Sequence, residues 1–125
     1  MEILKNKTVL IVDDESANIY ALRNYLETVE MKIEVAYNGE EAITFLSEKK
    51  SVDIILLDMM MPIMDGYEML HVLRNSDSLK HIPVIAFTAK AMKGDREKCL
   101  EAGAWGYISK PVNLKILIDL ITQWV

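Results

Sequence analysis

At 125 residues and 14.3 kDa, with 51% hydrophobic residues, the chain is long enough for one core of ordinary size, too short for two, and too apolar for a disordered segment. A net charge of -5 and a pI near 5.0 argue against nucleic acid or an anionic membrane as the main partner, since both require a basic footprint. The opening MEILKNK lacks the apolar centre of a signal peptide, no apolar run reaches bilayer length, and the single Cys99 excludes an internal disulfide, so a cytoplasmic location is expected.

In chain order, the first apolar run is TVLIVD (8–13), which predicts a strand. Ile19, Leu22, Leu26 and Val29 then recur three or four apart and predict an amphipathic helix. IEVAY (33–37) is a second strand, followed by a helix opening at NGEEA, with Asn38 as cap and Glu40 and Glu41 suited to the positive end of its dipole. DIILLD (53–58) is a third strand. The helix after it opens at MDGYEML, with Asp65 as cap and Met69, Leu70 and Leu73 facing inward. IPVIAFT (82–88) is a fourth strand, and KGDREKCLEAG is a helix stopped at Gly103. WGYIS (105–109) is a fifth strand, and Leu114, Leu117, Ile118 and Ile121 mark a last helix that runs to the chain's end, so that no appended output domain is expected.

Several of the strands are apolar at successive positions, as suits a parallel sheet covered on both faces. Five alternations of strand and helix joined by short connections predict a small doubly wound α/β fold over residues 1–125. In such sheets ligands bind beyond the carboxyl ends of the strands. Asp13 and Asp14 end the first strand, Asp58 the third and Thr88 the fourth, while Lys110 follows the fifth. Three carboxylates, a hydroxyl and an ammonium are thus expected on one edge. Two like charges about 4 Å apart repel by about 4 kcal/mol at an effective dielectric near 20, so a cation must relieve them. Oxygen ligands without histidine or cysteine point to a hard ion, Mg2+ or Mn2+, that keeps waters for substrate oxygens. With Lys110 as a further positive charge, the cluster describes a site for a phosphoryl group and a carboxylate nucleophile.

VDDE, LLDMMMPIMDG, FTAKA and YISKP stand in the order and spacing of the receiver domain of two-component response regulators, which the sequence resembles along essentially its whole length. The resemblance implies a flavodoxin-like sheet in strand order 2-1-3-4-5. It implies that Asp58 is the phosphoacceptor, served by a sensor histidine kinase or a histidine phosphotransfer protein. Asp14, Asp58 and the Met60 backbone carbonyl would hold Mg2+, and Asp13 would support the ion. Lys110 would contact the phosphoryl oxygens, Thr88 would hydrogen-bond one of them, and the Lys110–Pro111 peptide would be cis. Tyr107 stands where the switch aromatic of similar domains lies, and Met60 and Lys90 stand where residues tune phosphoryl lifetime. A downstream protein partner would read the fourth helix, fifth strand and fifth helix. The module would not be an enzyme beyond promoting its own phosphorylation and dephosphorylation. Single-domain regulators and receivers of hybrid histidine kinases are similar to comparable degrees, and the chain's length favours the former.

Two other readings compete. A Mg2+-dependent phosphatase of the haloacid dehalogenase type would need an acid two residues after its nucleophile, where this chain has Met60. A phosphorylation-independent interaction module would have no use for the full set of site residues. Trp105 is read either as part of a partner patch or as packing under a neighbouring helix. Met59 is expected in the core, Met60 and Met61 beside the acceptor, His71 and His81 at the surface, and Cys99 as a small apolar helix residue.

Overall fold

A computed structural model describes residues 2–48, 51–88, 93–110 and 112–125. The strands are β1 (Thr8–Val12), β2 (Lys32–Ala36), β3 (Ile54–Asp58), β4 (Val84–Thr88) and β5 (Gly106–Ser109). The helices are α1 (Ser16–Thr28), α2 (Gly39–Ser47), α3 (Gly66–Arg74), α4 (Asp95–Glu101) and α5 (Leu114–Trp124). The strands form one parallel sheet in the order β2-β1-β3-β4-β5, as the family resemblance implies. β1, β3, β4 and β5 are a residue or two shorter than their apolar runs, and β2 keeps its length but starts one residue earlier. Asp13, Tyr37 and Trp105 fall just outside β1, β2 and β5, where the chain turns into the crevice or onto the surface.

Alternation along the central strands divides the core into two layers. Leu10, Val12, Ile55, Leu57, Val84 and Ala86 face Ala42, Leu46, Met69, Leu70, Leu73 and Cys99 from α2, α3 and α4. Val9, Ile11, Ile54, Leu56, Ile85 and Phe87 face Leu22, Leu26, Leu117 and Ile121 from α1 and α5. Every residue of β3 and β4 is buried, so successive positions must all be apolar until the strand reaches its functional end. Val29, expected on the inner face of α1, instead serves as its C-cap and is half-buried.

Local capping follows the sequence signals. The Asn38 side chain accepts from the Glu41 amide at 2.8 Å, and Asp65 and Glu68 form a reciprocal capping box at the start of α3. Just past α4, Gly103 adopts φ +116°, a conformation costly for any other residue. Its missing side chain also makes room for Arg74: an added Cβ would lie 2.6 Å from Arg74 Cγ. Arg74 Nε donates to the Gly103 carbonyl at 2.9 Å, and Nη1 donates to the carbonyls of Lys80 at 2.7 Å and Ile82 at 3.2 Å. One side chain thereby fastens the end of α3 to the α4–β5 turn and to the lead into β4.

Trp105 is 41% exposed and packs edge-on against Trp124 of α5, with ring centroids 6.0 Å apart, so it both packs and remains partly open. Met59 is buried as expected, His71 and His81 are exposed, and Met61, although in the loop, turns into the core. Arg74→Ala strands three carbonyls and removes packing over Gly103, and it should lower the unfolding free energy by about 2–4 kcal/mol in urea titration, without loss of the native circular dichroism spectrum. A loss below about 0.5 kcal/mol would show that Arg74 is not a fastener.

Candidate functional site

At the carboxyl edge, Asp13 follows β1, and Asp58 and Thr88 are the last residues of β3 and β4. All three are buried, with relative exposures of 0%, 2% and 4%. Asp14, next along the chain from Asp13, is exposed. The three aspartates each offer a carboxylate oxygen such that these atoms lie within 4.8 Å of one another. The apolar strands act as rigid supports, for Leu57 and Val12 are paired in the ladder and neither Asp13 nor Asp58 can retreat from the other without breaking it.

Both buried acids are oriented by the same local device. Asp13 Oδ1 accepts from the Glu15 amide at 2.9 Å, and Asp58 Oδ1 accepts from the Met60 amide at 3.0 Å. In each case the side chain bonds the backbone two residues on, an Asx turn that holds one oxygen and frees the other. The freed oxygens face Lys110, whose Nζ lies 3.5 Å from Asp58 Oδ2 and 3.7 Å from Asp13 Oδ2. Lys110 Nζ also sits 5.0 Å above the Phe87 ring. Its own amide donates to the Thr88 carbonyl at 2.8 Å, which ties the lysine to the end of β4.

The electrostatics remain unbalanced, because three carboxylates face one ammonium among the described residues. Burial pushes the Asp58 carboxyl up from its ordinary 3.8 to about 6. The Met60 amide opposes that rise, the charge of Asp13 adds to it, and Lys110 opposes it by charge and by hydrogen bonding. Asp13 Oδ2 is buried with no hydrogen-bond donor among the described residues. A carboxylate oxygen with no hydrogen bond and only the Lys110 ammonium nearby, two more oxygens within reach and, among the described residues, no nitrogen or sulfur ligand in the cluster fit a hard divalent cation of the Mg2+ type.

The structure thus brings together Asp13, Asp14, Asp58, Thr88 and Lys110, while Met60 joins them through its amide. The Met60 side chain is 58% exposed at the rim. Tyr107, in β5, pairs with Ala86, and its ring leans on the layer containing Met59 and Cys99. Its hydroxyl is buried without a hydrogen-bond partner among the described residues. Lys90 and the Lys110–Pro111 peptide lie outside the described residues. Sequence reasoning missed Phe87 beneath Lys110 and the amide of Glu15. The former could have been found from alternation in β4, and the latter from the tendency of Asp to bond two residues ahead.

Residues 9–122 match the family described as response regulator receiver domain. The chain is 41% identical, over 94% of its length, to a Porphyra purpurea protein named as a probable transcriptional regulator, ycf29, but spans only 56% of that protein. It is 38% identical to the polar-differentiation response regulator DivK of Brucella anthropi, covering 95% of this chain and 96% of that one. Among solved structures, the receiver domain of sensor histidine kinase PA1611 from Pseudomonas aeruginosa is 30% identical with a TM-score of 0.86, covers 95% of this chain and 97% of its own, and has magnesium coordinated in its active site cleft. The receiver domain of Saccharomyces cerevisiae Ssk1, solved with the histidine phosphotransfer protein Ypd1, is 27% identical with a TM-score of 0.86, covering 97% and 90%.

The raised Asp58 pKa has a definite consequence for stability. An unfolded carboxyl releases its proton near 3.8 and the folded one near 6, so between these values the native state holds the extra proton. The contribution of Asp58 is therefore most favourable below pH 4 and is lost as pH rises through 6, by at most about 3 kcal/mol. In chelator at pH 7.5, Asp58→Asn should melt several degrees above the wild type, and Mg2+ should raise the melting temperature of the wild type more than that of the variant. A variant no more stable than the wild type at that pH would contradict an unrelieved charge at Asp58.

Proposed function

Because the chain belongs to the response regulator receiver domain family, we propose that it acts as the phosphoacceptor of a two-component relay, taking a phosphoryl group onto Asp58 from a histidine of a sensor kinase or histidine phosphotransfer protein. The observation that carries this reading is the buried Asp58 carboxylate at the end of β3, within reach of two further acids and 3.5 Å from Lys110. A carboxylate so fixed is placed for in-line attack on phosphorus, and the Asx turn with Met60 leaves Oδ2 as the attacking oxygen. The new O–P bond forms as the N–P bond of the phosphohistidine breaks, and the electron pair stays on the imidazole.

Asp14, Asp58 and the Met60 carbonyl would hold Mg2+, or Mn2+, with Asp13 supporting it from the buried side. The ion when bound supplies charge neutralisation for the incoming phosphoryl oxygens. Lys110, already between the two buried acids, moves its attraction from Asp58 to the phosphoryl group as the carboxylate becomes an ester-like anhydride. Thr88 offers its hydroxyl from the neighbouring strand. The rise of the Asp58 pKa does not prevent attack near neutral pH, since at about 6 the group remains largely ionised there.

Residues 1–125 are read as one receiver unit that works as a cytoplasmic switch and not as a turnover enzyme, because Met60 offers no general acid for repeated ester cleavage. No helix among the described residues is long and apolar enough to cross a membrane. The readout face is α4, β5 and α5, reached from the site through Thr88 and Tyr107, and it would bind a downstream protein and not nucleic acid. Lys90, beyond Thr88, would modulate phosphoryl lifetime.

Incubation with Mg2+ and acetyl phosphate should add one phosphoryl group, lost on treatment with hydroxylamine. Asp58→Asn should take up none, and Asp14→Asn should require far more Mg2+. Equal labelling of the wild type and Asp58→Asn would remove Asp58 from its role.

A further inference from the structure

We propose that Met60 is a peroxide-oxidation site whose sulfoxide shortens the life of the phosphoryl group, an inference that rests on the phosphoacceptor reading of Asp58. The described methionines divide sharply by exposure. Met31, Met59, Met61 and Met69 are buried, and Met64 is half-buried with its thioether where a Gly39 Cβ would be. Met60 is 58% exposed. Thioether oxidation follows access to the oxidant, so Met60 reacts ahead of these others. The one thiol does not compete, because Cys99 is 1% exposed, lies 3.6 Å from the Tyr67 hydroxyl, and is held toward its protonated form by burial.

Position gives that oxidation a consequence. The Met60 amide holds Asp58 Oδ1 at 3.0 Å, so its side chain leaves the backbone beside the acceptor. That side chain borders two hollows. One, of about 140 Å³, it shares with Thr88, Tyr67 and Lys98; the other, of about 300 Å³, it shares with Met61, Asp65 and Tyr67. A thioether is a weak acceptor and presents an apolar wall to both. On reaction with a peroxide, the sulfur donates an electron pair to the distal oxygen, the O–O bond breaks, and an S=O bond forms with release of water or alcohol. The sulfoxide oxygen is a strong acceptor, and it holds water at the rim of the crevice where the apolar wall had discouraged it. The smaller hollow reaches Thr88, next to the Asp58–Phe87 pair at the strand ends, so water so retained has a route to an aspartyl phosphate, and hydrolysis quickens.

The test treats the intact protein with limiting hydrogen peroxide and maps oxygen uptake by peptide mass. It then forms the aspartyl phosphate with Mg2+ and acetyl phosphate, removes the donor and follows decay. The expected result is first uptake of one oxygen at Met60 and severalfold faster decay in the treated protein. Met60→Leu should take up no oxygen there, and its decay, whatever its own rate, should not change on treatment; Met60→Gln should decay fast without peroxide. Oxidation of Met31, Met59, Met61, Met64 or Met69 before Met60, or equal decay of treated and untreated wild type, overturns the inference. If the untreated wild type forms no aspartyl phosphate at all, the phosphoacceptor reading falls with the lifetime effect, and the mass map alone decides the oxidation site.

Discussion

Asp13 and Asp58 are kept out of water at the ends of neighbouring strands, and the other features of the crevice answer the resulting repulsion. Their spacing is not adjustable, because β1 and β3 are paired in register up to Val12 and Leu57 and both strands are buried. Each acid has one oxygen satisfied by the amide two residues ahead and one aimed at Lys110. The lysine cannot balance both together with Asp14, and burial, with the charge of Asp13 adding to it, raises the pKa of Asp58. Such strain is tolerable because the two core layers hold the strand ends in place, and it suits the crevice to a cation and, on the proposed reading, to a transferring phosphoryl group.

That constraint also explains the shape of the sequence around Asp58. Ile54 to Leu57 must all be apolar because β3 is covered on both faces, and the first position able to reach the crevice is the last of the strand. After it the chain has to turn at once. Met59 drops into the core at 2% exposure, where an added Cβ at Gly66 would lie 2.5 Å from its sulfur, so the glycine that opens α3 is required by this methionine. Met60 comes to the rim and Met61 turns in again, while Ile63 at φ +71° completes the tight bend before Asp65 caps α3. Three identical residues therefore alternate between two environments, core and rim, which their identity alone could not show.

The architecture was legible because its signals are local and repetitive. Buried runs such as Ile54–Ile55–Leu56–Leu57, caps such as Asn38 and Asp65, and the stop at Gly103 each report a backbone state without reference to distant residues. The convergence of Asp13, Asp58, Thr88 and Lys110 followed from topology, once all were seen at strand ends. Less visible were contacts between residues far apart in sequence with no shared pattern. Arg74 reaches Gly103, Tyr67 meets Cys99, and Lys110 lies over Phe87, each through a long side chain whose direction is set by packing. Strand ends were misplaced for a related reason, since apolar or aromatic character extends beyond the ladder into residues such as Tyr37 after β2 and Trp105 before β5 that are exposed.

On the proposed reading, transmission from the site to a partner face would rest on the same parallel pairing. Thr88 lies opposite Ser109, its carbonyl accepts from the Lys110 amide, and Ala86 lies opposite Tyr107, so the hydroxyl and ammonium of the crevice and the aromatic are joined through one short ladder. The Tyr107 hydroxyl is buried without a partner among the described residues, an arrangement that costs about 1–3 kcal/mol relative to a bonded hydroxyl. A second conformation in which that hydroxyl finds a donor, acceptor or water would recover this cost, set against what the ring gains from packing where it lies. On the proposed phosphoacceptor reading, a phosphoryl group that draws on Thr88 would have to supply only the differential between these two conformations, and it would do so without disturbing the buried central strands that hold Asp58 in place.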